Sequence, residues 1–295
     1  MNDILVKAIA LNGKVKLVCT ITTELCNRAR MQHDLMPTSL AALGRVMSAG
    51  VMMAANLKGK DEKINIQING GGPLGTCMVE CKSNGDVKGF VGNNEIYLKY
   101  NDSNKLAVGL AVGSDGYLQV IKDMGLSNTF SSKVLLQTGE IGDDFAYYYS
   151  VSEQTPTAIS VGVLVDTDTT CLASGGLLIQ LMPDANEDDI LKVEEVVSKL
   201  DPISSLINGG SSASDILLSL FDDTKILEKN DIRWHCDCSK DKFKASLTTL
   251  SRNDIVEIIE EDGGCEVKCE FCNTAYNISK EELEAILEFK GRCGR

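Results

Sequence analysis

The chain is 295 residues long, 43% hydrophobic and 24% charged, with a formal net charge of −13. That apolar fraction supports an ordinary packed core and excludes a disordered chain, while the length allows two domains. The acidic balance excludes a large nucleic-acid footprint, because phosphate binding draws mostly on Lys and Arg.

The sequence opens Met1-Asn2-Asp3-Ile4-Leu5-Val6, with no basic n-region, apolar h-region or cleavage site. No apolar run reaches the ~18 residues a membrane span needs, so a cytoplasmic protein is expected. Thiols stay reduced there, and clustered cysteines read as metal-binding or redox chemistry rather than permanent crosslinks. Residues 1–180 read as an N-terminal α/β domain with hairpin-rich sheets. Residues 39–57, rich in Ala, Met and Leu and free of Pro, predict a buried helix. Ile64-Asn65-Ile66-Gln67-Ile68 alternates apolar and polar as a half-buried strand does. Residues 69–75 hold four glycines, but a strand-like run follows, so a bend or bulge is expected rather than a phosphate cradle. Asn84-Gly85 predicts a primed turn between two strands, and Asp115-Gly116 repeats the signal before a strand at 117–121.

Residues 181–230 predict a helical connector. Asp184 to Asp189 give an acidic helix start, and Ile190, Val193, Val197 and Leu200 recur at helical spacing. After Asp201-Pro202, residues 203–207 and 214–221 predict shorter helices. Such pieces are marginal alone, so their apolar faces could be released when something nearby changes.

Residues 231–295 predict a small C-terminal zinc-binding module, completing an α+β fold. Cys236 and Cys238 form one cluster and Cys269 and Cys272 another, with thirty residues between them. That spacing lets four thiolates surround one tetrahedral ion, and zinc is the expected occupant. Two disulfides, or a zinc site that only staples the module, are the bland alternatives. Helices are expected at 241–250, 254–261 and 279–289, with capping boxes at Ser251/Asp254 and Ser279/Glu282, and strands at 265–269 and 274–278. Cys265, Cys293 and His235 lie close enough in sequence to compete as ligands. Five other cysteines, Cys19, Cys26, Cys77, Cys81 and Cys171, are scattered and read as buried small hydrophobes. From 231 to 295 there are 14 acidic and 10 basic residues, so this segment does not suit nucleic acid either. A module of this size has a small core, and bound zinc supplies on the order of 10 to 16 kcal/mol in small zinc peptides. Thiolates oxidised to disulfide no longer serve as ligands, which links oxidation, metal loss and unfolding at one site.

Several segments together carry a family resemblance. They are Gly70 to Gly75, Gly116 to Asp123, Gly139 to Tyr148, Ser152-Glu153-Gln154-Thr155-Pro156, Gly175-Gly176 before Ile179-Gln180-Leu181-Met182-Pro183, and the two cysteine clusters. In their order and spacing the chain resembles the bacterial redox-regulated heat-shock holdase family, the 33-kDa chaperonins, over essentially its whole length. The resemblance implies an ATP-independent chaperone, not an enzyme, inactive when reduced and loaded with one Zn2+ per chain. It further implies metal ligands Cys236, Cys238, Cys269 and Cys272, and oxidised pairs Cys236 with Cys238 and Cys269 with Cys272. Unfolding client proteins are the implied partners, with a homodimer on activation and no nucleic acid or membrane.

Two other readings are weighed. A thiol-disulfide oxidoreductase places Cys-x-x-Cys at a helix start after a strand, whereas Cys272 is followed by six residues before Ser279 opens the next helix. A zinc ribbon binding nucleic acid or protein is opposed by the acidic balance and by the sparseness of Trp234, Phe271 and Tyr276 as a stacking platform. His33 and His235 fall in different segments, and no nucleophile has an identifiable base, so no hydrolase is expected and there are no catalytic residues.

Overall fold

Two antiparallel sheets and a buried helix between them organise most of the chain. The computed structural model describes residues 2–59, 61–103, 105–125 and 129–293, the last three by backbone alone. It divides into two compact units, Met1–His235 and Cys236–Arg295.

The first unit runs β1 (Ile4–Ala10), β2 (Val15–Ile21), α1 (Thr23–His33), α2 (Pro37–Ala54), β3 (Lys63–Asn69), β4 (Cys77–Lys82) and β5 (Asp86–Val91). It continues with α3 (Val108–Val112), β6 (Tyr117–Asp123), β7 (Phe130–Leu135), α4 (Gly142–Val151), β8 (Thr157–Val165) and β9 (Cys171–Leu181). Three short helices, α5 (Glu187–Ser198), α6 (Ile203–Asn208) and α7 (Ala213–Leu218), precede β10 (Lys225–Asp231) and β11 (Arg233–Trp234). One sheet has the order β10-β1-β2-β9-β8, the other β11-β5-β4-β3-β6-β7. Among the described residues only β11 pairs in parallel, with β5. Hairpin pairing without βαβ crossovers makes this an α+β fold.

Helix α2 is the common core. Every one of its residues except Arg45 is buried, with Pro37 at its first turn where a missing N–H costs nothing. It packs against strands of both sheets. The alternation at Ile64, Ile66 and Ile68 points these three into that core, and each is essentially inaccessible. On the other face of the first sheet, α5–α7 bury Val193, Ile203, Ile207, Ile216 and Leu217 against β1, β2 and β9.

Several local expectations are corrected. Asn84-Gly85 is not a primed turn: Gly85 alone has a left-handed φ, +85°, in a three-residue loop closed by Gly85 N–H donating to Lys82 O at 3.1 Å. The Asn84 side chain instead accepts from Asp86 N, a local alternative to the second left-handed residue. Asp115-Gly116 joins α3 to β6 rather than two strands. The glycine loop after β3 lies backbone to backbone on α3: a Cβ at Gly70 would sit 2.1 Å from Gly113 O. On α5 the structure buries Val193 and half-buries Val196 and Leu200, leaving Ile190 and Val197 exposed, because the helix meets the sheet along one narrow stripe. α7 stops at Leu218, yet Leu220 and Phe221 stay in the same core.

Asp3 substitutes for a missing cap. Thr22 gives α1 no side-chain cap, and the Asp3 carboxylate accepts from Glu24 N at 2.9 Å and Leu25 N at 2.6 Å. Burial raises its pKa to about 6, with the two N–H bonds working the other way. A folded pKa above the ordinary 3.8 means the stabilising proton is fully effective below that pH, and its contribution is lost as pH rises through 6. Between pH 4.5 and 7.5 the chain should therefore lose roughly 2 kcal/mol relative to Asp3→Asn. Urea midpoints of the two proteins at both pH values check this, and parallel profiles would contradict it.

The second unit comprises α8 (Lys240–Leu247), α9 (Arg252–Glu261), a hairpin of β12 (Gly264–Lys268) and β13 (Ala275–Ser279), and α10 (Lys280–Cys293). Ser251 and Asp254 form the expected capping box, as do Ser279 and Glu282. Among the described residues its buried apolar cluster is Ile255, Ile278, Leu283 and Ile286.

Candidate metal centre

Two turns of the second unit carry the cysteines. Cys236 and Cys238 flank Asp237 just before Ser239, whose hydroxyl caps α8 by accepting from Lys242 N. The Lys242 ammonium fixes this loop by donating to Asp237 O at 2.8 Å and to its carboxylate at 2.7 Å. Cys269 and Cys272 occupy the β12–β13 turn. Cys269 N donates to Thr274 O at 2.9 Å, while Cys272 N and Asn273 N both donate to Cys269 O. The turn needs a left-handed residue at Asn273, φ +56°, a conformation Asn tolerates.

The result is a compact group in which all four Sγ atoms lie within 4.8 Å of one another. Cys236 Sγ is 3.7 Å from Cys269 Sγ, and Cys238 Sγ is 3.3 Å from Cys272 Sγ. Thiolates held tetrahedrally at ~2.3 Å from one ion stand ~3.8 Å apart, so the spacing and the soft donor set fit zinc. This four-cysteine group could hold one metal ion.

The protons are unevenly held. Burial pushes Cys236 well up and raises Cys269, partly offset in both by backbone N–H bonds. At Cys272 burial is outweighed by hydrogen bonds with Thr274 and with the Cys238 and Cys269 sulfurs, and its pKa falls to about 7. Metal binding would shed the remaining thiol protons.

Three neighbours were not assigned to this site from the sequence, although Glu282 was read as a cap and Tyr276 as an aromatic. Tyr276 Oη donates to Cys238 O and lies 3.2 Å from Cys238 Sγ, while its ring packs on Phe243 at 5.4 Å. The hydrogen bond with Cys238, then burial, pushes its pKa up to about 12. Thr274 contacts Cys272 Sγ at 3.3 Å. Glu282 accepts from Lys240 at 2.6 Å, tying the start of α10 to α8, and that bond leads the causes lowering its pKa to about 2. Cys272 and Thr274 lie in the turn and Tyr276 is the second residue of β13, so the available signal was nearness to Cys272 in sequence.

Cys265 belongs to the apolar cluster, opposite Ile278 in the hairpin. His235 lies in the first unit, its backbone N–H donating to Val87 O at 3.0 Å. Neither joins the four-sulfur group. The Cys293 side chain lies outside the described residues. Cys19, Cys26, Cys77, Cys81 and Cys171 are all buried, as small hydrophobes are. Trp234 packs on the first unit's core, edge-on to His33 at 5.9 Å. Among the described residues no helix is long and apolar enough to cross a membrane.

Comparison with known proteins agrees along the chain. The family model described as Hsp33 protein matches residues 3–279. The 33 kDa chaperonin of Halalkalibacterium halodurans is 44% identical over 290 residues, covering 98% of this chain and 99% of that protein. The Bacillus subtilis 33 kDa chaperonin is 43% identical, with 96% and 98% covered. The crystal structure of the Thermotoga maritima 33 kDa chaperonin, a heat shock protein 33 homolog, superposes with a TM-score of 0.88 at 32% identity, covering 99% of this chain and all of that one. The chain belongs to the Hsp33 family, whose members are chaperones and not enzymes.

Proposed function

We propose that this chaperone is a cytoplasmic, ATP-independent holdase switched by oxidation of Cys236, Cys238, Cys269 and Cys272. The supporting observation is the pairing of four mutually adjacent sulfurs with a unit in which, among the described residues, four apolar side chains are buried in its cluster and the rest of that cluster is only partly buried. When bound, one Zn2+ would join both turns through the four thiolates and so stabilise a unit too small to hold itself together. In this reduced form the protein is inactive.

Oxidation proceeds pairwise. Two thiolates give one disulfide and two electrons, and one peroxide molecule takes up those electrons with two protons from solvent to become two waters. The pairs are Cys236 with Cys238 and Cys269 with Cys272. Although the nearest sulfurs lie across the two turns, loosening of the unit separates those turns, while partners two or three residues apart stay close. With its thiolates consumed the unit unfolds, the connector at 181–230 loosens next, and apolar faces capture unfolding client proteins. Side chains such as Leu191, 61% exposed, already give α5 an apolar outer side. Dimerisation accompanies activation.

The test treats reduced, zinc-loaded protein with peroxide under mild heating. Trp234 fluorescence, released zinc and suppression of a client's aggregation are followed together, and should change together. Suppression with the metal still bound would end this reading. A second variant, Tyr276→Phe, keeps the ring against Phe243 but removes the hydroxyl beside Cys238. Zinc affinity should fall about 10- to 100-fold, as for other groups that orient ligands, measured by competition with a chromogenic chelator.

A further inference from the structure

The first unit has a cavity of about 560 Å³ at the mouth between its two sheets, within the range of small-molecule sites. The apolar part of its floor, Leu5 from β1, Val51, Ala54 and Ala55 from the end of α2, and Leu57 just beyond, lies beside the polar Asn56, Ser83 and Asn230. Its rim carries Lys7, Lys16, Lys58 and Lys82 against Glu228 and Asp231, a positive patch on a chain of net charge −13. Lys7 is occupied by Glu228 at 2.8 Å. Lys16 donates to the neutral Asn56 side-chain oxygen, and burial followed by repulsion from Lys7 lowers its pKa. The carbonyl end of α2 accounts for some of this positive charge, but a helix terminus carries only about half an elementary charge. The lysines exceed it.

We propose that this cavity binds an anionic amphiphile of the fatty-acid class, its carboxylate at Lys16 and Lys58 and its chain on the apolar floor. The far wall is formed by Asn230, Asp231 and Ile232, where the chain passes from β10 in one sheet to β11 in the other. An occupant therefore bridges both sheets at their shared crossing.

Calorimetric titration of the full-length, reduced, zinc-loaded protein with dodecanoate, below its micelle concentration, is the test. One molecule should bind per chain, with inorganic phosphate and dodecyltrimethylammonium each at least tenfold weaker. Lys16→Gln should weaken dodecanoate at least tenfold. Lys58→Gln, at an exposed position and so neutral to folding, should weaken it severalfold. Multiple equivalent sites, phosphate or the cationic amphiphile binding as tightly as dodecanoate, or both variants binding like the parent, would each overturn the assignment.

Discussion

Cys269→Ser is expected to unfold residues 236–295 while leaving the first unit folded. Cys269 is the most buried of the four cysteines, and its backbone closes the β12–β13 turn from both sides. A serine there keeps the backbone bonds but removes a sulfur from the group, and a hydroxyl is a poor replacement for a thiolate on zinc. Bound zinc contributes on the order of 10 kcal/mol in small zinc modules, as much as the whole stability of many domains. The Ile255, Ile278, Leu283 and Ile286 cluster cannot replace it. Hydrogen exchange should show rapid exchange throughout 236–295 with β1–β9 still protected, and zinc content should fall below one per chain. Chelation of the parent protein should give the same map. A protected β12–β13 hairpin in the metal-free serine variant would mean that the sulfurs are not what holds this unit.

Asp144→Ala should produce the largest loss in the first unit, about 3–5 kcal/mol, the range for uncovering a buried charge network. The Asp144 carboxylate is fully buried and accepts from three backbone N–H groups: Gln137 at 2.7 Å, Thr138 at 3.1 Å and Ile141 at 3.1 Å. It thereby fixes a loop in which Ile141, a β-branched residue, has φ +66°, a strained conformation that needs external support. The loop in turn places Glu140 against Arg45 at 2.7 Å and Tyr100 at 2.5 Å. Alanine leaves three donors without an acceptor. A urea midpoint close to that of the parent would show that water enters and satisfies them.

How much could be read beforehand varied with the physics of each element. Helix α2 was legible because complete burial demands an unbroken apolar run, and β3 because one face meets the core and the other meets water. The capping boxes of α9 and α10 were legible because their hydrogen bonds span only three residues. The cysteine group needed only ligand type and spacing. By contrast β10, Lys-Ile-Leu-Glu-Lys-Asn-Asp, shows no alternation because most of it is exposed at a sheet edge. Its partner β1 lies more than 200 residues earlier, with Ile4 opposite Asp231, and no local pattern encodes such a pairing. The buried stripe of α5 was half misassigned, since spacing gives a helical period but not which of two adjacent stripes meets the sheet. Tyr276 was weighed as a stacking aromatic, and no local pattern shows that its hydroxyl reaches Cys238 across the two turns.

That distant pairing constrains mechanics. Residues 182–224 leave the first sheet at the end of β9 and return to it at β10, so both feet of this segment are planted in the same five strands. Tension from a collapsing tail cannot pull on α5–α7 directly. It must first peel β11 from β5, then unzip β10 from β1, and only after that second rupture does the downstream foot come free. If oxidation unfolds residues 236–295 as proposed, the two pairings would yield one after the other, and α5–α7 would stay seated for as long as β10 holds to β1.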